Sequence, residues 1–338
     1  MMKQKWRIGA GWVLLLAVII QAGCGHPSQS VLDPAGPAGR SQLGLIYLST
    51  GIMTLVVIVV AAIYIYVVYR FRERPGEEEI PEQVEGSRKL EVLWTVIPII
   101  LLVILAVPTI SATFTLNKKP EPEQSMRVNV VGFQYWWGFE YPDLGVQTAN
   151  EVHIPTGTQV DFQMTSGDVI HAFWAPSLGG KQDLNPGIQN RLVLEADRPG
   201  VYEGRCTELC GASHALMNFR VIAHPPEEFE EWVASMRNPS SQPQTPLASE
   251  GKKLVSQNCI GCHAIDGAGF EIKGRTGPNL TAFGKRTRIA GVWENNKENL
   301  EAWLKDPQVV KPGNRMPAFD HLSKKEISAL VEYLSDLK

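Results

Sequence analysis

Residues 206–217 read Cys-Thr-Glu-Leu-Cys-Gly-Ala-Ser-His-Ala-Leu-Met, which places two thiols, an imidazole and a thioether on one short segment. Soft sulfur and nitrogen ligands favour copper, and a set of Cys, His and Met side chains is typical of electron-transfer copper sites. Strand-like runs at 200–205 and 219–223 flank the segment. The ligands are therefore expected on one loop at the edge of a β-sheet.

A second imidazole is needed if each metal of a pair is to have its own, and His171 is the natural candidate. Two other interpretations compete with copper. Cys206 and Cys210 could form a disulfide, or they could bind zinc together with His214. A mononuclear copper site would require only one of the two cysteines.

The sequence around this loop is typical of an all-β domain of about 100 residues. Short runs of β-type residues alternate with Gly, Pro, Asn and Asp, and no strong helix is expected among them. The pattern predicts a sandwich or a Greek-key barrel. The expected strands are 126–132, 151–155, 159–165, 191–195, 200–205 and 219–223.

A second motif, Cys259-Ile260-Gly261-Cys262-His263, is the signature of covalent attachment of a c-type haem. The two thiols add to the haem vinyl groups, and the adjacent His263 is placed under the iron. Met316 is the expected second axial ligand, and Met/His ligation raises the haem potential. His321 is the alternative. A final helix is predicted over 324–337 from apolar residues at helical spacing.

Two long uncharged runs, 43–69 and 92–116, predict membrane-spanning helices, because about 20 apolar residues cross the hydrocarbon core. Basic residues lie just after the first run and just before the second, so the positive-inside rule places the loop 70–91 in the cytoplasm. Residues 117–338 are then expected outside it.

The N-terminus has the layout of a signal peptide, with basic residues, an apolar run over 8–20 and the small residues Ala22-Gly23 before Cys24. The end resembles a bacterial lipoprotein cleavage site, where the cysteine becomes the lipidated N-terminus, although Gln21 departs from that pattern. An ordinary signal peptide or a retained anchor would leave Cys24 without a role.

Formal charge is distributed unevenly, although the whole chain carries only −3. Residues 117–237 contain 9 Lys/Arg and 16 Asp/Glu, a balance of 9 − 16 = −7, and residues 247–338 contain 14 Lys/Arg and 11 Asp/Glu, a balance of 14 − 11 = +3. Folded units of opposite sign attract each other, or the two surfaces are simply unrelated. No long basic run indicates nucleic acid as a partner.

The copper segment resembles the binuclear copper (CuA) loop of cytochrome oxidase subunit II, with the pattern C-x-E-x-C-x-x-x-H-x-x-M. The resemblance covers 43–236 and implies that Cys206 and Cys210 bridge two coppers. His171 and His214 would be terminal ligands. Met217 would give a weak thioether ligand and Glu208 its backbone carbonyl, and Glu208 would also contribute to a magnesium site shared with subunit I.

The same resemblance gives roles to residues outside the loop. Residues 134–141 resemble the aromatic stretch through which a cytochrome passes electrons to copper, so Tyr135, Trp136 and Trp137 are candidates for the point where electrons enter. Trp136 and Trp137 could instead pack at the membrane interface. Glu91 resembles a glutamate near the mouth of a proton-uptake path, although an acid at a helix start is also a helix-dipole partner.

Together these features resemble a caa3-type haem–copper oxidase, which reduces oxygen to water and pumps protons. The resemblance implies an oxidase subunit I with the haem–copper site, a subunit III, and cytochrome c or another electron donor. A copper-containing subunit of a nitric-oxide reductase and a free-standing, membrane-tethered electron carrier are the alternatives. His26, His153 and His224 are expected at the surface or in turns.

The expected fold is a two-helix transmembrane hairpin, an all-β cupredoxin-like sandwich and an all-α class I cytochrome c domain in a bacterial cell membrane. The expected divisions are a signal peptide (1–23), an exported segment (24–42), helices at 43–69 and 92–116 around a cytoplasmic loop (70–91), a CuA domain (117–237), a linker (238–248) and a cytochrome c domain (249–338).

Overall fold

The computed structural model describes residues 27–73, 76, 85–121, 123, 125–270 and 276–338. The predicted signal peptide, Cys24, His26 and most of the predicted cytoplasmic loop lie outside these residues. The described chain contains an apolar helical hairpin, a β-sandwich and a helical C-terminal domain.

Two long helices, α1 (Pro37–Arg70) and α2 (Arg88–Leu116), are long and apolar enough to cross a membrane. Their apolar side chains are exposed within this chain, as expected of surfaces that face lipid. Both predicted spans are confirmed as helices, and α1 begins before the predicted span. Pro98 and Pro108 lie inside α2, as membrane helices tolerate.

The β-sandwich consists of two five-stranded sheets. One sheet has the strand order β3-β2-β1-β5-β8 and the other β4-β10-β9-β6-β7. Pairs β1/β5 and β4/β10 are parallel, and the remaining pairs are antiparallel. The strands are β1 (Ser125–Phe133), β2 (Trp136–Tyr141), β3 (Val146–Ala149), β4 (Glu151–Pro155), β5 (Gln159–Ser166), β6 (His171–Trp174), β7 (Lys181–Leu184), β8 (Asn190–Leu194), β9 (Gly200–Cys206) and β10 (Asn218–His224).

Aromatic side chains fill the space between the two sheets. Phe162 of the first sheet lies 5.4 Å from Phe173 of the second, measured between ring centroids, and Phe173 stacks on Phe219 at 4.2 Å. All three are at most 1% exposed. Burying such a side chain contributes about 1.5–3 kcal/mol, so this core is a rigid support for the copper loop.

Two expectations for this domain are wrong. The helix α3 (Pro226–Arg237) follows β10 and packs Phe229, Val233 and Met236 into the core, although no strong helix was expected. His153 is neither in a turn nor freely exposed, because it lies half-buried in β4 with its ring stacked on Trp232 of this helix at 4.2 Å.

The C-terminal domain is built around α4 (Pro246–Asn258) and α7 (Lys324–Ser335), with α5 (Lys297–Lys305) and the short α6 (Pro307–Val310) between them. Gly251 permits a close crossing of the two terminal helices, because an added Cβ would lie 2.0 Å from the Ala329 carbonyl oxygen. Thr245 caps α4, and a capping box of Ser323 and Glu326 begins α7. The predicted final helix is confirmed to within two residues. The domain also contains a short hairpin, β11 (Arg288–Ile289) with β12 (Trp293–Glu294).

The predicted linker 238–248 is partly folded. Helix α4 already begins at Pro246, Ser240 pairs through its backbone with Lys338, and Tyr333 donates a hydrogen bond to the Ser241 carbonyl at 3.2 Å. The proline content of this segment indicates a linker, but it does not show that the C-terminal domain provides hydrogen-bond partners for the linker backbone. This connection therefore lies against the C-terminal domain.

The C-terminal domain contacts the sandwich directly. Glu151 is 2% exposed and accepts hydrogen bonds from the backbone nitrogens of Thr287 and Arg288 at 2.9 and 3.0 Å. Glu203 of β9 pairs with Arg288 at 3.0 Å and with Arg220 at 2.9 Å. Acidic groups of the sandwich thus meet donors of the C-terminal domain, in agreement with the opposite charges of the two units.

Residues 27–42 pack on the sandwich before the chain enters α1. The Ala35 nitrogen donates to the Ser177 carbonyl at 2.6 Å, and the Gly39 nitrogen to the Leu178 carbonyl at 3.1 Å. Gly36 is required here, because an added Cβ would lie 2.0 Å from the Glu195 carbonyl oxygen. The start of the first membrane helix is thereby fixed to the β-domain.

Candidate copper and haem sites

The copper loop, residues 206–217, closes on itself between β9 and β10. The Cys206 nitrogen donates to the Met217 carbonyl at 3.1 Å, and a single 3₁₀ turn spans His214–Leu216. Gly211 has a φ of 130°, and a side chain there would meet the Tyr135 hydroxyl at 2.5 Å. The sequence therefore folds into a tight loop that brings its sulfur and nitrogen atoms to one side.

The donor atoms predicted for copper converge at this loop. The two thiol sulfurs of Cys206 and Cys210 lie 3.9 Å apart. His171 Nδ1 is 3.8 Å from the Cys206 sulfur, and His214 Nδ1 is 3.6 Å from the Cys210 sulfur. The Met217 sulfur is 3.8 Å from that of Cys210, and the Glu208 carbonyl oxygen is 3.3 Å from that of Cys206.

Asp168 orients His171 from the side opposite the thiols. The Asp168 carboxylate lies 2.8 Å from His171 Nε2 and accepts from the Gln134 nitrogen at 2.8 Å. Burial opposes ionisation of both groups, but the hydrogen bonds outweigh it, so the pKa of Asp168 is lowered and that of His171 is raised. A carboxylate behind a metal-binding histidine fixes the ring so that its other nitrogen faces the metal.

The two thiols share a proton when no metal is bound. A hydrogen bond from Cys210 lowers the pKa of Cys206, and the same contact raises the pKa of Cys210. Because metal ligation requires thiolates, one sulfur is already prepared for metal, and the second loses its proton when a metal binds.

The donor set fits a copper pair better than the competing interpretations. A disulfide requires sulfur atoms about 2.05 Å apart, and the observed separation is 3.9 Å. A structural zinc ion takes four ligands, whereas two thiols, two imidazoles, a thioether and a carbonyl oxygen meet here. Thioether ligands are typical of copper.

The haem motif lines a cavity of about 200 Å³ between the C-terminal domain and the sandwich. Cys259 is the residue that ends α4, and Cys262, His263 and Met316 complete the predicted set on the cavity wall. The other wall includes Leu280, Phe283 and Leu300, so the cavity is largely apolar, as a haem requires. The residues present thus fit a covalently attached haem.

The ring of His263 is held with one nitrogen toward the cavity. Burial lowers its pKa, so the imidazole is neutral, and Nδ1 donates to the Pro278 carbonyl at 2.7 Å. Nε2 is then unprotonated, which is the form that binds a metal. Gly277 packs against the ring, where an added Cβ would lie 2.6 Å from Cε1.

The structure favours Met316 over His321 as the second axial ligand. Met316 lines the cavity, and its backbone nitrogen donates to Asn314 Oδ1 at 2.8 Å. His321 is exposed and lies outside the residues that line the cavity.

The predicted aromatic stretch lies between the two sites. Tyr135 and Trp136 line the haem cavity, and the Tyr135 hydroxyl accepts from the Ala212 nitrogen of the copper loop at 3.0 Å. Trp137 is fully buried on the copper side, where its ring nitrogen donates to the Met217 carbonyl at 3.3 Å. Packing at a membrane interface is therefore wrong for Trp137.

Two predicted carboxylates, those of Glu91 and Glu208, are not part of either donor set. Glu91 is in the first turn of α2, where Thr95 donates to its carbonyl at 2.8 Å. The side chain of Glu208 is exposed at the tip of the copper loop.

Sequence reasoning missed three residues of the sites: Asp168, Ser213 and Lys311. Asp168 lies three residues before His171, a spacing that could have indicated a carboxylate partner. Ser213 and Lys311 meet across the two domains, and no local pattern signals such a contact.

A sulfur-rich metal loop on a β-sandwich, a covalent-haem cavity and a pair of membrane helices define a membrane-anchored electron-transfer protein. Family models agree with each part. Residues 29–112 match "Cytochrome C oxidase subunit II, transmembrane domain", 144–223 match "Cytochrome C oxidase subunit II, periplasmic domain", and 248–338 match "Cytochrome c".

Curated relatives match the whole chain. "Cytochrome c oxidase subunit 2" of Alkalihalophilus pseudofirmus is 46% identical over 98% of this chain and 98% of its own. The protein of the same name from Bacillus subtilis is 44% identical over 100% of this chain and 99% of its own. The chain belongs to the cytochrome c oxidase subunit II family and carries a cytochrome c domain at its C-terminus.

Among solved structures, the periplasmic domain of subunit II of cytochrome oxidase from Bradyrhizobium japonicum is similar at 30% identity. The match covers 35% of this chain and 96% of that one, with a TM-score of 0.34.

Proposed function

We propose that this chain takes up electrons at a covalent haem, passes them to a copper pair and delivers them to the oxygen-reducing site of a partner subunit. The observation that carries the proposal is a contact between the two sites. The haem cavity is lined by Tyr135 and Trp136 of the copper domain, and Tyr135 also bonds to the copper loop.

The copper ligands in this proposal are His171, Cys206, Glu208, Cys210, His214 and Met217. Cys206 and Cys210 would bridge the metals, because their sulfurs lie at the centre of the donor set. A pair of coppers that shares two thiolates accepts and releases one electron with little change in geometry. The sandwich holds the donor atoms in place, and Asp168 orients His171.

For the haem, Cys259 and Cys262 would form the thioether bonds, and His263 and Met316 would be the axial ligands. The Pro278 carbonyl holds His263 in the required tautomer, and the apolar wall keeps water from the site. Tyr135 and Trp136 are our candidates for the residues that electrons cross, since both face the haem cavity.

Localisation follows from the predicted topology. A signal peptide over 1–23, with Cys24 as the lipidated mature N-terminus, and basic residues beside the helices support placing both metal domains on the extracytoplasmic face of a bacterial cell membrane. The anchored segment 27–42 supports an N-terminus on the same side as the sandwich, because it contacts that domain before α1 begins.

The partners in this proposal are an oxidase subunit I with haem–copper chemistry, a subunit III, and cytochrome c or another donor. The exposed Glu208 carboxylate is available for a magnesium ion shared with subunit I. Glu91, at the start of a membrane helix, would lie near the mouth of a proton path, through which oxygen reduction is coupled to proton pumping.

The test is a visible and paramagnetic spectrum with metal analysis of the purified complex. We expect a covalent haem and a copper pair in each chain, together with oxygen consumption by the intact complex. Replacing Cys206 by Ser should abolish the signal of the copper pair and leave the haem bands, because only one bridging thiolate remains.

An unchanged copper content and spectrum in Cys206→Ser would contradict the ligand assignment. Purification of the chain from membranes without any oxygen-consuming partner would favour a free-standing electron carrier. Nitric oxide rather than oxygen consumption by the intact complex would favour a nitric-oxide reductase.

A further inference from the structure

The haem loop, residues 311–316, lies directly against the copper loop, although the two belong to different domains. We propose that Lys311 and Ser213 are positioning residues that lock these loops together and so fix the separation that an electron crosses. This inference rests on the proposed function, because it concerns transfer between the two centres named there.

Lys311 joins the two domains through its side chain. Its side-chain nitrogen donates to the Tyr135 carbonyl of the copper domain at 2.5 Å and to the Ala290 carbonyl of the haem domain at 2.6 Å. The residue is only 2% exposed, and no ion pair of Lys311 with a carboxylate is found among the residues that the structure describes. Burying an amine is costly unless its hydrogen bonds are made. Separation of the domains would break one of them.

Ser213 makes the second connection. It is fully buried beside His214, and its hydroxyl donates to the Pro312 carbonyl of the haem loop at 2.7 Å. The Ser213 carbonyl accepts from Leu216 in the 3₁₀ turn that carries His214. One serine is therefore bonded both to the copper loop and to the haem loop.

The two backbones approach closely between these connections. Gly313 has a φ of 79°, and an added Cβ would lie 3.4 Å from the Ala212 side chain and 3.5 Å from the Tyr135 hydroxyl. A Cβ at this position would just touch the copper loop, so little free space separates the two loops.

Asn314 transmits the position of Lys311 to Met316. Its side-chain nitrogen donates to the Lys311 carbonyl at 2.7 Å, and its side-chain oxygen accepts from the Met316 nitrogen at 2.8 Å. The short haem loop is thus rigid from the domain contact to the residue that faces the haem cavity. Because electron transfer slows steeply with distance, a change at Lys311 acts on the rate without touching a ligand.

The test uses the full chain loaded with haem and copper. Lys311→Met keeps the length and apolar body of the side chain and removes both hydrogen bonds, and Ser213→Ala removes only the contact with Pro312. Lys325→Met is the matched control, because Lys325 is 75% exposed on α7. The measurements are the haem-to-copper transfer rate after a light-driven electron pulse, hydrogen exchange of the two loops, and the haem and copper spectra.

We expect Lys311→Met to lower the exchange protection of residues 211–214 and 313–316 about tenfold, because two buried hydrogen bonds are lost. The transfer rate should fall as well, because the two loops are then no longer held at a fixed separation. Ser213→Ala should act in the same direction with a smaller effect. The spectra of both centres and the behaviour of Lys325→Met should match those of the wild type. If Lys311→Met does not fold, the transfer rate and exchange protection of Ser213→Ala test the inference on their own.

Wild-type transfer rates and exchange protection in both variants would overturn the inference. Loss of the haem or copper bands together with the transfer rate would also overturn it, because Lys311 would then be needed to hold a metal ligand in place. Failure of the proposed function is distinguishable, because the wild type itself would then show both spectra without transfer between them.

Discussion

The copper and haem regions reach their metal-binding geometry in opposite ways. The copper donors stand together within the folded sandwich, where the ligand atoms of His171, Cys206 and Cys210 all lie within 4.8 Å of one another. The haem ligands instead surround a cavity, with Cys259 at the end of a helix and Met316 on a distant loop. The protein therefore builds the copper site itself, whereas the haem completes the core of its own domain.

The largest expected effect is on the haem domain when its cofactor cannot be attached. In the double variant Cys259→Ala, Cys262→Ala, the cavity of about 200 Å³ loses its occupant. At about 24 cal/mol per Å³ of cavity, the free energy of unfolding should fall by about 5 kcal/mol. Calorimetry of the full chain should show that the transition of the haem domain disappears or shifts to much lower temperature.

The copper domain is the internal control for this variant. Its copper spectrum and its melting transition should stay close to those of the wild type, because the rings that fill the space between the sheets, Phe162, Phe173 and Phe219, do not line the haem cavity. Equal destabilisation of both domains would show that the sandwich also depends on the haem, and the contrast between the regions would not hold.

Features of both regions that depend on neighbouring residues could be predicted from the sequence. The copper loop and the C-x-x-C-H motif are local, so their thiol, imidazole and thioether groups stand out in short stretches of sequence, whereas the Glu208 carbonyl was implied only by the family resemblance. The structure places these groups in one cluster and one cavity. Six strands were also found, because alternation and turn residues are local signals. The short β6, which carries His171, is indicated only by the family resemblance, because its four residues are nearly all buried and show no alternation.

Contacts between elements that are distant in the chain could not be predicted from the sequence. Tyr135 meets Lys311 across 176 residues, and Glu151 meets Thr287 across 136. Helix α3 begins with Pro226, Glu227 and Glu228, which favour a helix start. The apolar side that holds it on the sandwich is visible only in the folded structure. Tertiary context decides such features.

Asp168 tests how far the copper site is built by the protein rather than by the metal. Asp168→Asn keeps the size of the side chain but removes the charge behind His171, so the ring is oriented less firmly. Loss of such an outer partner typically lowers metal affinity about 10- to 100-fold, and competition with a copper chelator measures it. Asp143→Asn, at an exposed carboxylate, is the matched control. Copper affinity equal to that of the wild type would mean that the loop alone orients His171.

The smallest expected effect concerns acid stability, which should also differ between the two regions. Burial lowers the pKa of His153 to about 3, and its Nδ1 lies 2.8 Å from Nε2 of His224. Between this pKa and the usual value near 6.5, the unfolded chain binds a proton that the folded chain does not. Stability contributed by His153 is therefore present above pH 6.5 and is lost as the pH falls.

From pH 7 to pH 5 the loss amounts to about 2 kcal/mol for the sandwich. His153→Phe retains a ring that stacks on Trp232 and cannot take up a proton, so its sandwich should lose less stability over the same range. Thermal melting of the copper domain at the two pH values measures the difference, with the transition of the haem domain as the reference. The same pH dependence in His153→Phe and in the wild type would assign the acid sensitivity to the metal ligands instead, because their protonation also releases the metal.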